Sequence, residues 1–124
     1  MEKPVIRYTY NAEADVESVN LVINSLQTTM PEYDILPTHW NVEEKAIALI
    51  LFIAESGLDE PMWFALRNAL QLGSKILPIH THKQASNPAI IADLKPGLFW
   101  KEPNRTIDAI EQAIRKTAPV ALRE

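Results

Sequence analysis

The chain has 124 residues, 47% hydrophobic and 23% charged, and its 12 basic and 16 acidic side chains leave a net charge of −4. One domain with a real core over residues 1–124 is expected from that length, and the basic residues are too scattered to form a nucleic-acid stripe. The chain has no cysteine, which excludes disulfides and thiolate chemistry, and no apolar run nears the roughly 20 residues of a membrane span.

Residues 4–10, PVIRYTY, are β-branched and aromatic and read as a first strand. A helix starting at Asn11 or Asp15 follows, where Val16, Val19, Ile23, Leu26 and Met30 recur at three- and four-residue steps as one apolar stripe. Pro31 ends it. Residues 33–36 form a short second strand closed by Pro37, which suits a sheet edge. Residues 38–45, THWNVEEK, are fewer than the dozen or so of an ordinary parallel crossover. The helix expected there is shortened or missing, or else residues 33–36 pair irregularly.

Residues 46–54, AIALILFIA, are apolar on both alternations, as in a central strand covered on both faces. Asp59 or Glu60 can cap the next helix, Pro61 suits its first turn, and Gly73 suits its left-handed end. Its core face is predicted as Met62, Leu66, Ala69 and Leu70. Residues 75–79 are a fourth strand, 83–87 a polar loop, 88–94 a short helix stopped by Pro96 and Gly97, and 98–100 a fifth strand. In a last helix over 104–116, Ile107, Ile110 and Ile114 share a face, and residues 117–124 are expected to be a partly ordered tail. The alternation of strands and helices predicts an α/β, flavodoxin-like three-layer open sheet of five mostly parallel strands in order 2-1-3-4-5.

Ligands of such sheets bind outside the carboxyl ends of the strands, where strand order reverses. Here that crevice lies between the first and third strands. Arg7, Tyr8, Tyr10, Asn11 and Ser56 are the ligand-binding candidates, with Glu55 as the candidate acid or base. Arg7 in a central strand needs an anionic partner, either Glu55 or a bound anion. Gly57, Gly73 and Gly97 are isolated, so no phosphate-binding glycine loop is present. His80 and His82 would share a strand face and could approach a metal with His39, but solvated histidines at a strand end explain them as well, and no metal is assigned. Trp63 and Phe64 are adjacent on the helix, so only one can face fully inward; with Trp40 they are the candidate contact residues for a partner.

The run from Ala69 to Ile79, ALQLGSKILPI, preceded by Trp63 and an apolar strand, resembles the fourth-strand region of TIR (Toll/interleukin-1 receptor) domains, where a helix ending in glycine leads into an I-x-P-hydrophobic strand. Val5-Ile6-Arg7-Tyr8-Thr9 resembles the family's opening F-I-S-Y-S strand, Asp15 lies near its following acidic position, and residues 88–94, Phe99 and the final helix match its last third in spacing. TIR enzymes that cleave NAD use a glutamate on the helix after the tryptophan. Aligned through Ala69 and Gly73 that position is Ala65, and aligned through Trp63 it is Arg67. Neither is a carboxylate.

The resemblance therefore implies a cytoplasmic signalling and protein-interaction module without NAD hydrolase activity or cofactor, docking on a partner protein or on its own copies. The alternative is an enzyme resembling TIR hydrolases or deoxyribosyltransferases, taking NAD or another nucleotide with Glu55 as its acid. A second alternative is a pseudo-receiver docking domain, because Trp100-Lys101-Glu102-Pro103 resembles the lysine–proline element of response-regulator receivers. The acidic pair that receivers carry after the first strand is missing from Tyr8 to Asn11.

Overall fold

The computed structural model describes residues 3–11, 16–38 and 45–122. Strands β1 (Val5–Tyr10), β2 (Asp34–Pro37), β3 (Ala48–Ile53), β4 (Lys75–His80) and β5 (Gly97–Leu98) form one sheet in the order β2-β1-β3-β4-β5. Every pairing is parallel. Helices α1 (Val16–Thr29), α2 (Glu60–Leu72) and α3 (Pro103–Leu122) flank the sheet, with a 3₁₀ turn at Ala89–Ile91. This is the flavodoxin-like α/β architecture expected from the sequence.

All six residues of β3 are buried, because the strand sits mid-sheet between two helical layers. Ala48, Ile50 and Phe52 join Ile6, Leu26, Ile110 and Ile114 in the core under α1 and α3. Leu49, Leu51 and Ile53 join Met62, Leu66 and Ile91 in the core under α2 and the 3₁₀ turn. Side-chain alternation along one strand thus supplies both cores. Asp59 caps α2, its carboxylate accepting from the Met62 N–H at 3.0 Å, and Gly73 closes the helix at φ 79°.

β2 pairs in regular register with β1, from Val5 beside Asp34 to Tyr8 beside Pro37, so the irregular alternative is set aside. Among the described residues no helix lies between β2 and β3; residues 39–44 of this connection fall outside the described chain. Leu36 lies beside Arg7 in register and is 40% exposed. It shares the sheet face of α2, but α2 packs over β3 and β4.

Several expectations need correction. The last strand is Gly97–Leu98 rather than residues 98–100, and Trp100 lies in the following turn at 42% exposure. The short helix of 88–94 is reduced to a single 3₁₀ turn. Leu70 is 38% exposed, and Ala65 takes its place in the core beside Met62, Leu66 and Ala69. The physical reason is angular: at 100° per residue, Leu70 lies past the edge of the stripe that 62, 65, 66 and 69 define. Helix α3 continues to Leu122, beyond Lys116 and into the segment expected to be partly ordered.

Arg115 ties α3 to the end of α1. Its Nε donates to Glu111 at 3.1 Å, Nη1 to Glu32 at 3.2 Å and Nη2 to the Thr29 carbonyl at 3.2 Å. The guanidinium thereby meets a last-turn carbonyl of α1, where positive charge is favourable.

Candidate functional site

The carboxyl ends of β1, β3 and β4 carry the candidate site. Past β3 the chain turns sharply: the Gly57 N–H donates to the Ala54 carbonyl at 3.1 Å, with Gly57 at φ 80°. Glu55 and Ser56 occupy the tip of that turn and are exposed. The left-handed backbone explains the glycine, because a Cβ would cost about 1–2 kcal/mol there.

Ser56 faces the end of β1, where the Asn11 amide Nδ2 reaches its hydroxyl at 3.5 Å. These two sequence-predicted residues therefore meet across the switch point. Tyr8 and Tyr10 sit nearby on one face of β1, stacked with ring centroids 6.3 Å apart, and Tyr8 meets Phe52 edge-on at 6.4 Å. Burial, and secondarily the neighbouring Tyr10, push the Tyr8 hydroxyl above its ordinary value of 10.0.

Arg7 belongs elsewhere. Strand alternation turns it to the sheet face opposite Tyr8 and Tyr10, and its Nη1 donates to the Pro37 carbonyl at 3.1 Å. The predicted Arg7–Glu55 pair is not formed between these residues. The partner of Glu55 is His82, whose Nε2 lies 3.4 Å from the carboxylate.

His82 is oriented by its own loop. The Gln84 backbone N–H donates to His82 Nδ1 at 3.1 Å, so the neutral ring carries its proton on Nε2, the nitrogen 3.4 Å from the Glu55 carboxylate. In that tautomer the Nε2 lone pair needed for a metal is occupied by the proton. Among the described residues no group of three or more potential metal ligands occurs, and His39 lies outside them. With side chains 46% and 61% exposed, the pair belongs to the class worth about 0–1 kcal/mol in stability. It sets an imidazole beside an exposed carboxylate at the crevice mouth and adds little to fold stability.

His80 does something different from the solvated strand-end role expected of it. It is 7% exposed and its Nε2 lies 2.8 Å from Asn87 Oδ1. The Asn87 amide Nδ2 donates to the Ile91 carbonyl at 3.2 Å and the Leu94 carbonyl at 2.7 Å. Asn87 Oδ1 must then accept, and His80 Nε2–H donates. This is a structural lock on the β4–β5 connection, and His80 and His82 do not share a ligand site.

Of the proposed contact aromatics, Trp63 packs half-buried against the α2-side core, and Phe64 is half-buried beside Arg67, Asn68 and Gln71. Trp40 lies outside the described residues. Among the described residues the exposed aromatic is Trp100, which strand pattern alone did not single out. His82 as the partner of Glu55 was also missed, because the two come from different strand ends far apart in sequence and no local spacing marks them.

Compared with protein-family models, with curated proteins and with solved structures, the chain matches none of them. Among the described residues no helix is long and apolar enough to cross a membrane.

Proposed function

We propose that this chain is a TIR-like domain acting as a non-enzymatic protein-interaction and signalling module. The observation that carries this reading is the state of α2. The helix is capped and docked on β3 and β4, yet Ala65 is buried against the core and Arg67 is exposed. By the resemblance, one of these positions carries the glutamate of NAD-cleaving members. An alanine side chain has no group to act on a glycosidic bond, and a guanidinium is no general base at neutral pH.

A second reading is favoured by the crevice. Glu55, with His82 3.4 Å away and next to Ser56, whose hydroxyl the Asn11 amide reaches, is an acceptor group suited to the hydroxyls of a nucleotide sugar. In that reading Glu55 replaces the missing acid.

One experiment separates the two. NAD and related nucleotides are incubated with concentrated protein and followed by chromatography, with thermal shifts on the same mixtures. The interaction-module reading expects no turnover. Turnover abolished by Glu55→Gln would overturn it in favour of the enzyme. A thermal shift without turnover, lost in Glu55→Gln, would make the crevice a ligand sensor within the module.

A further inference from the structure

β4 has six residues but β5 beside it has only two. Strand β4 donates to β3 from Lys75, whose N–H meets the Ile47 carbonyl at 3.0 Å, and the chain beyond it from Thr81, whose N–H meets the Ile53 carbonyl at 3.0 Å. By alternation, Ile76, Pro78 and His80 aim their backbone polar groups at the other edge. β5 pairs only with Ile79 and His80. The N–H and C=O of Ile76 thus point to the edge that β5 does not reach, although the Ile76 side chain itself belongs to the core under α2 and the residue is only 8% exposed. Pro78, next on that edge, has no N–H to offer, a common guard against unlimited strand addition.

A groove of about 260 Å³ runs along this open edge, floored by β4 and walled by α3. Its α3 wall includes Ala109 and Ala113, small side chains that leave the slot unfilled. The charged residues lining it are Lys75 and Lys95, both exposed, and no acidic side chain among the described residues lines it.

From this we infer that the open edge of β4 docks an extended segment of a partner protein bearing at least one carboxylate. The segment would take the place that the missing half of β5 leaves beside Ile76. Its carbonyl accepts from the Ile76 N–H, its N–H donates to the Ile76 carbonyl, an apolar side chain enters beside Ala109 and Ala113, and its acid meets Lys75 or Lys95. An extended peptide fits better than a rounded ligand because the groove offers both a backbone donor and a backbone acceptor at strand spacing. The inference rests on the interaction-module reading and names the face that would carry it.

The test is selection of short random peptides displayed on phage, with the full chain as bait. Amide chemical shifts are then mapped with the best synthetic peptide. Binders are expected to carry Asp or Glu beside β-branched residues, to shift the amides of Ile76, Lys95 and Ala109, and to weaken about tenfold or more on Ala109→Gln. Ala109 is an exposed helix position, so that change narrows the groove without touching the core. The double variant Lys75→Glu, Lys95→Glu should invert the preference toward basic peptides. No enrichment, enrichment without an acidic preference, or shifts on another face would overturn the inference. Concentration-dependent shifts at the same amides without peptide would also overturn it, by making a second copy the occupant. None of these failures produces nucleotide turnover, so they stay distinct from failure of the module reading itself.

Discussion

Replacing Asn87 by alanine removes the lock between β4 and the loop that follows it. Three hydrogen bonds are lost together: His80 Nε2–H to Oδ1 at 2.8 Å, and Nδ2 to the Ile91 and Leu94 carbonyls at 3.2 and 2.7 Å. Each is worth about 0.5–1.5 kcal/mol net, and a buried donor left without a partner costs more. The His80 N–H is such a donor. The expected loss is about 3 kcal/mol, or roughly 10–15 °C in melting temperature for a domain of this size.

Urea denaturation of Asn87→Ala against the native chain, with the slope checked for constancy, reads this directly. Asn87→Asp sharpens the test at neutral pH. It keeps the acceptor for His80 but turns the donor toward two carbonyls into a second acceptor, so it should destabilise at least as much as alanine. A loss below about 1 kcal/mol for alanine, or a benign aspartate, would refute both the network and the assigned histidine proton.

Gly97→Ala should also destabilise, by about 1–3 kcal/mol, because a Cβ there would sit 2.8 Å from Thr106 Cγ2, a buried β-branched side chain on α3 with little freedom to yield; thermal melts check it, and an unchanged melting temperature would contradict the close packing of α3 on β5. Glu32 is held below its ordinary value of 4.5 by its own backbone N–H and by Arg115. Its folded value therefore lies under its unfolded one, so the stabilisation is present above about 4.5 and lost as pH falls through the folded value. Stability measured for native and Glu32→Gln chains across that range should converge on acidification, and parallel curves would refute the coupling. Tyr8 titrates in the opposite sense: raised above 10.0 by burial, it contributes stability that is present below 10.0 and lost as pH rises through its folded value. Ultraviolet titration of native chain against Tyr8→Phe should show one late-ionising phenol lost, while Tyr33, also raised by burial, still ionises late. Leu70→Gln, at an exposed helix position, should stay within about 0.5 kcal/mol of native stability, whereas Leu66→Ala in the fully buried core should cost about 2–5 kcal/mol.

The layer architecture could be read from the chain because it rests on local rules. An apolar run on both alternations in 46–54 requires cover on both faces. The Asp59 cap, Pro61 and Gly73 delimit α2 through backbone groups that each residue satisfies or permits on its own. Of the stripe set by helical period, Val19, Ile23, Leu26 and Met30 are buried, whereas Val16, at the first residue of α1, is 40% exposed. Strand order followed from the alternation of these elements, while the short connection between the second and third strands spoke against an ordinary crossover there, yet β2 pairs regularly with β1.

What the tertiary structure alone decided is which polar groups meet. Glu55 finds His82 rather than Arg7 because strand pleat sends Arg7 to the sheet's α2 face, toward Pro37, while the ends of β3 and β4 bring Glu55 and His82 to one rim. His80 is buried and locked, and His82 exposed and oriented, although they are two residues apart, because β4 ends between them. That β5 pairs only with Ile79 and His80, leaving the Ile76 edge of β4 without a strand neighbour, is visible only in the assembled sheet. Periodicity carries the distinction between inside and outside along one element; it carries no information about which distant side chain arrives at the same end of the sheet.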